Sequence, residues 1–280
     1  RYIFNILINK DNISHDILFN SFNRLYQIES LLYPDSSNKI SESKEFKIFL
    51  NDQIVMKSLE KMVFQSQIWE NMLSKIRVEI CYILANAKRG LEDIESKFLI
   101  SLAHQCFINE YVFYFSKEEL KYTEKIINKL NESGENKELI LILACYYPLY
   151  KLTDRIPFLK SFKSSDIRIN RLLKLQILDP LKERELSKKI KRIGNINDLI
   201  SKRVLNQYEK RPFPAWRNSF DYHKLQKDAY QKINDDIKPN FINPSFKSKK
   251  LKILIAGCGT GQQVLIAQKY KNSQITGIEL

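Results

Sequence analysis

Glycine is scarce in this chain of 280 residues, and its distribution is uneven: four of the seven glycines, Gly257, Gly259, Gly261 and Gly277, fall in the last 24 residues, and the first 250 residues hold three. A stretch so poor in glycine, with apolar residues recurring every three or four positions, predicts helix after helix rather than a sheet with tight turns. Long apolar runs are also missing. The longest uncharged one, residues 139–150 (LILILACYYPLY), falls short of the roughly 18 residues that cross a membrane, so it reads as a buried helix ended by Pro148. Cysteine is limited to positions 81, 106, 145 and 258, all in apolar contexts without metal-type spacing. That pattern argues against a disulfide framework or a metal site and for reduced, buried thiols in a soluble, cytoplasmic protein. A signal peptide's charged start and cleavage site are lacking too.

Acidic residues are outnumbered, 32 against 46 basic ones, for a net charge of +14. Such a surplus admits a nucleic-acid partner or an acidic surface. The lysines are spread among Ile and Asn along the whole chain, which favours a solvated surface over a nucleic-acid site. The densest run, Lys182 to Arg192, carries Leu186 and Ile190 on one side and predicts an amphipathic surface helix.

Helices are expected over 14–33 and 43–64, separated by the turn Pro34 to Asn38, and over 66–88, where Ile68, Met72, Ile76, Ile80 and Ile83 or Leu84 keep helical spacing and Arg89-Gly90 supplies the left-handed cap. Further helices are expected at 91–115, 117–131, 137–147, in short pieces to about 175, and over 179–209 with a break near Gly194. Five of the eight prolines lie from 180 onward, marking a shift to connecting segments, with one more helix over 221–234. No internal period supports a repeat array.

The end of the chain differs in kind. Leu251 to Ala256 reads as a strand buried on both faces, Gly257-Cys258-Gly259-Thr260-Gly261 as a tight turn, 262–270 as a helix, and Gln274 to Ile278 as a second strand closed by Glu279, eighteen residues after Gly261. A dinucleotide fingerprint would place its third glycine at 262, which is Gln, and a phosphate loop would follow the glycines with Lys and Ser or Thr, which are missing. The remaining pattern, GxGxG after an apolar strand with an acid closing the next, resembles motif I of class I S-adenosylmethionine-dependent methyltransferases.

Upstream stretches resemble one bacterial group of these enzymes, in which a helical, tetratricopeptide-repeat-associated region precedes the catalytic domain. They are Ala103 to Phe113 (AHQCFINEYVF), Ala144 to Leu149 (ACYYPL), Leu173 to Pro180 (LKLQILDP), and Gln207 to Trp216 (QYEKRPFPAW), the last similar to that group's QYEENPYPRW. Lys210, Arg211, Phe213 and Ala215 depart from that pattern.

The resemblance implies a mostly α region over 1–205, a proline and aromatic connector over 206–247, and over 248–280 the start of an α/β Rossmann-like methyltransferase domain, truncated after its second strand. Because the chain opens on Arg1 and stops at Leu280, it is expected to be a fragment cut at both ends and inactive alone. The resemblance implies S-adenosylmethionine as cofactor, with Gly257, Cys258, Gly259, Gly261 and Gln262 beside its methionine part and Glu279 and Leu280 at its ribose.

Tyr208 and Trp216 either lie over the cofactor mouth or belong to a rigid connector. The methyl acceptor is a small molecule or a protein, no catalytic base is assigned, and no metal or membrane partner is expected. Asn109-Glu110-Tyr111 is expected to bury its Glu as a hydrogen-bonded core group or one that reaches a substrate. His104 and Cys106 are expected to sit in the core, because residues two apart on a helix face different ways. The competing reading is a helical protein- or RNA-interaction module with an incomplete α/β segment.

Overall fold

The computed structural model describes residues 1–10, 13, 15–26, 44–191, 193–194, 197–210, 226–242 and 251–279, with the side chains of 44, 45 and 208–210 outside that set. Two compact units divide the chain, Arg1–Lys191 and Arg192–Leu280. The first is helical: α1 (Tyr2–Ile8), a 3-10 turn (His15–Leu18) running into α2 (Phe19–Asn23), α3 (Lys44–Leu50), α4 (Gln53–Lys61), α5 (Gln67–Ala85), α6 (Asp93–Ile108), α7 (Lys117–Ser133), α8 (Lys137–Leu143), two 3-10 turns (Leu149–Leu152, Pro157–Lys160), α9 (Ile167–Leu173), a π-helical turn (Lys174–Leu178) and α10 (Asp179–Ser187). Among the described residues no helix is long and apolar enough to cross a membrane.

The expected 43–64 helix is two helices because Asp52 turns its side chain onto the Ile54 N–H at 2.8 Å and caps α4, so the chain restarts there. Met72, Ile76, Ile80 and Leu84 of α5 are buried as their spacing predicts. The end of that helix is a correction. Ala87, not Gly90, takes the left-handed conformation (φ +49°), with Lys88 N–H on the Ile83 carbonyl and Ala87 N–H on Leu84. The α6 helix starts in a capping box of Glu92 and Glu95 and ends at Ile108, short of the expected 115, in a turn that puts Glu110 and Tyr111 at φ near +60°. Glu110 is thereby exposed, contrary to the expected buried Glu.

In this unit α4 packs on α6, α5 on α7 and α6 on α8, around a core that includes a ring cluster of Phe22, Phe49, Phe64 and Trp69. Trp69 keeps its polar handle satisfied, Nε1 donating to Asn23 Oδ1 at 2.7 Å. Among the described residues one ion pair has both side chains buried. Arg77 donates to Glu119 Oε2 at 3.2 Å and to the Tyr114 carbonyl at 2.6 Å, and Tyr146 donates its hydroxyl to the same Glu119 oxygen at 2.8 Å.

The second unit contains α11 (Leu199–Lys210), α12 (Ala229–Asp236), β1 (Leu251–Ala256), α13 (Gln262–Ala267) and β2 (Ser273–Ile278). The expected break near Gly194 is present, with φ +77°. The strands run parallel from Leu251↔Ser273 to Ala256↔Ile278, as a β-α-β crossover requires. Lys227 extends this unit by exchanging backbone hydrogen bonds with Lys269 and Lys271, and Asp228 then caps α12. The fold is therefore mostly helical with two short parallel strands.

Burial on both faces of β1 is not found. Leu251, Ile253 and Ile255 are half-buried, while Leu254 on the opposite face is 64% exposed, since α13 covers one face and no described element covers the other. The apolar side of the 182–192 run is likewise uncovered, Leu186 and Ile190 being 49% and 69% exposed.

Candidate functional site

At the carboxyl end of β1 the backbone must reverse into α13 within five residues. Gly257, Gly259 and Gly261 take φ of +64°, +50° and +95°, a region costly for any residue with a β-carbon. The turn is held by three main-chain contacts: Cys258 N–H donates to the Ile278 carbonyl at 3.0 Å, Gly261 N–H to the Cys258 carbonyl at 2.8 Å, and Leu265 N–H to the Gly261 carbonyl at 2.9 Å. The first of these carries the β1–β2 pairing one step past the strands and sets the turn beside the end of β2.

Glu279 stands at that end. Its Oε2 accepts the Gly259 N–H, so the acid twenty residues downstream is joined directly to the middle glycine. A hydrogen bond to a carboxylate is among the stronger kinds. The structure thus brings together Gly257, Cys258, Gly259, Gly261 and Glu279, with Gln262 exposed as the first residue of α13. Leu280 and Trp216 lie outside the described residues, and Tyr208 contributes only backbone, in α11.

One residue absent from the expected site shapes it. A β-carbon at Gly277 would lie 3.0 Å from Cys258 Sγ, 3.3 Å from Cys258 Cβ and 3.3 Å from Val264 Cγ2, so glycine in β2 lets the turn and α13 press against the sheet. A glycine inside a strand pattern is the signal for such close approach. Space beside the three turn glycines, by contrast, is open: an added β-carbon there would meet nothing within 4 Å. The turn therefore presents unobstructed glycine backbone beside the acceptor oxygens of a carboxylate.

Three of the four upstream stretches meet in the core of the first unit, and the fourth, Gln207 to Trp216, lies mostly outside the described residues. Gln176, in the π-helical turn, donates Nε2 to the carbonyls of Ala103 at 3.3 Å and Ala144 at 3.2 Å and accepts the Leu149 N–H at 3.3 Å, so one buried amide joins all three. His104 and Cys106 are buried and diverge, as expected: His104 lies in the field of Glu60, Arg168 and Arg171, Cys106 beside Cys145 and Arg77. Burial pushes the His104 imidazole down to about 4, and its Nε2 has no hydrogen-bond partner among the described residues. Burial also pushes the Cys81 thiol up to about 12, which suits an inert core thiol rather than a nucleophile. Among the described residues no group of three or more His, Cys, Asp or Glu is placed to hold a metal ion.

Comparison of the chain with protein-family models, with curated proteins and with solved structures finds no match.

Proposed function

We propose that the β1-α13-β2 segment is part of a Rossmann-like class I methyltransferase domain and that the protein transfers a methyl group from S-adenosylmethionine to a small-molecule or protein acceptor. The observation that carries this reading is the hydrogen bond from Gly259 N–H to Glu279, which puts a glycine turn and a carboxylate side by side at the carboxyl ends of two parallel strands, the place where open α/β sheets bind nucleosides. Gly257, Gly259 and Gly261, with Cys258 and Gln262 next to them, would receive the methionine part, and Glu279 the ribose hydroxyls.

S-adenosylmethionine supplies an electrophilic methyl group on a sulfonium. The residues in hand supply positioning: the turn fixes the backbone and the acid sets the register of the sugar, so the displacement can proceed in line. The test is calorimetric titration of the protein with S-adenosylhomocysteine. Binding that weakens at least tenfold in Glu279→Ala supports the reading, and absence of binding would sink it.

A second reading, a protein- or RNA-interaction module, is favoured by the exposed run 182–191, where lysines and Ile190 face solvent together. RNA binding that weakens steeply with salt, without any response to S-adenosylhomocysteine, would give it precedence.

A further inference from the structure

Two tyrosines meet at the surface where α5 packs on α7. Tyr82 of α5 is 41% exposed, Tyr122 of α7 is half-buried, and their rings stand edge to face with centroids 5.6 Å apart. Lysines close over both rings. Just past the left-handed turn at Ala87, Lys88 places Nζ 5.7 Å from the centre of the Tyr82 ring. Lys125 of α7 places its own 5.9 Å from the centre of the Tyr122 ring and donates to Asn86 Oδ1 at 3.3 Å. Lys129, one turn further along α7, donates to the Leu84 carbonyl at 3.0 Å and so ties the end of α5 to α7 beneath the rings' neighbours. Among the described residues neither Lys88 nor Lys125 is paired with a carboxylate. We propose that Tyr82, Lys88 and Lys125 form a platform for single-stranded RNA on the helical unit, the ring stacking a base and the two ammonium groups taking neighbouring phosphates.

The chemistry selects an unpaired strand, because a duplex keeps its base faces inside its own stack and only a splayed base offers one to an aromatic ring. A lysine over an exposed ring is held weakly, so Lys88 can lift from Tyr82 onto a phosphate as a base takes its place. The two rings are not equivalent. Glu118 accepts the Tyr122 hydroxyl at 2.7 Å, and its negative charge repels a phosphate, which leaves Tyr122 as the brace and Tyr82 as the stacking ring. The chain's net charge of +14 draws a polyanion toward the surface without specifying where it lands. The inference rests on the RNA-interaction reading above and gives it a place other than the run 182–191. It asks nothing of the glycine turn in the other unit, and so it is independent of whether a cofactor binds there.

The experiment is fluorescence anisotropy of a labelled short oligouridylate, with a blunt RNA duplex as competitor, titrated with the wild-type protein and with variants checked by urea unfolding to be folded. The wild type is expected to prefer the single strand. Tyr82→Ala is expected to weaken binding by roughly fivefold or more, the loss of one base–ring stack, and Tyr82→Phe to keep it. Lys88→Ala with Lys125→Ala is expected to flatten the slope of log affinity against log salt by about 1.4, two phosphate contacts on a single strand. Tyr82→Ala binding as tightly as wild type, Tyr82→Phe as weakly as Tyr82→Ala, or a preference for the duplex would each overturn the platform. If Lys188→Glu with Lys191→Glu abolished binding and Tyr82→Ala left it unchanged, this place would be wrong while the RNA reading stood. An oligouridylate that does not bind at all would remove both.

Discussion

The side-chain amide of Gln176 donates to the carbonyl of Ala144 at 3.2 Å, and with its two other bonds, to Ala103 and from Leu149, it ties α6 to the end of α8 and to the 3-10 turn that follows. Leu149 opens a 3-10 turn after Pro148, so its N–H needs a partner from outside that turn, whereas the carbonyl of Ala144, which caps α8, also accepts the Tyr111 hydroxyl at 3.2 Å. Replacing Gln176 by Leu keeps the volume and strands the Leu149 N–H, while the Ala144 carbonyl keeps the Tyr111 hydroxyl and the Ala103 carbonyl stays within its helix. We expect a loss of about 1–3 kcal/mol, measured by urea unfolding followed through Trp69 fluorescence in a Trp216→Phe background. Leu178→Ala, two residues on and 53% exposed, should cost under about 1 kcal/mol; equal losses would refute the assignment.

The Arg77–Glu119 pair makes a second prediction. Both side chains are almost fully buried, and the Arg77 guanidinium carbon lies 4.5 Å from the centre of the Tyr146 ring. Breaking such a pair leaves an uncompensated charge, whereas replacing both partners with apolar groups removes the desolvation cost as well. Glu119→Leu alone is expected to lose roughly 3–5 kcal/mol, and Arg77→Met with Glu119→Leu to recover most of it. A double variant as unstable as the single one in the same unfolding assay would contradict this.

What was legible in the sequence depended on range. The spacing of Met72, Ile76, Ile80 and Leu84 is decided within one helix, and it predicted the buried face correctly. Arg77 sits on that same helix and reads as a surface charge, because Glu119 is 42 residues away and nothing local announces it. The cap at Ala87 was missed for a related reason. Gly90 is intrinsically the better left-handed residue, but Asn86 already ends the helix and the hydrogen bonds to Ile83 and Leu84 fix the turn three residues earlier. At the candidate site the glycines and Glu279 were visible as a motif, whereas the role of Gly277 needed the packing of β2 against Cys258 and Val264. The uncovered face of β1 was invisible to periodicity, since a run of apolar residues does not say which of its faces finds a partner.

His104 should make the first unit sensitive to acid. Its folded value is pushed down to about 4, chiefly by burial, with Glu60 opposing and Arg168 and Arg171 adding to the drop, against about 6.5 in an unfolded chain. Between those values the unfolded state takes up a proton that the folded state refuses. Stability is therefore fully present above pH 6.5 and is lost as pH falls toward 4, by up to roughly 3 kcal/mol from this group. Urea unfolding at a series of pH values, in wild type and in His104→Gln, isolates the contribution as the difference between two curves. The difference should shrink on acidification, and parallel curves would show that His104 does not carry it.

Gly277 offers the sharpest test of how the turn is held. Its β-carbon position lies 3.0 Å from Cys258 Sγ, tighter than most real contacts of this kind, with Cys258 Cβ and Val264 Cγ2 both at 3.3 Å. Gly277→Ala must therefore displace Cys258 and Val264 by a few tenths of an ångström, and overpacking of this kind costs about 1–3 kcal/mol. The strain falls on Cys258 N–H, which bonds the Ile278 carbonyl next door, and through the turn on the bond between Gly259 and Glu279. Hydrogen exchange at Cys258 and Gly259 should quicken in Gly277→Ala, while amides of α5, in the other unit, keep their wild-type rates. Cys258→Ala removes the nearest of the three contacts and should restore part of the protection when combined with Gly277→Ala. If exchange at Cys258 and Gly259 were unchanged by Gly277→Ala, the close packing of β2 against the turn would be wrong.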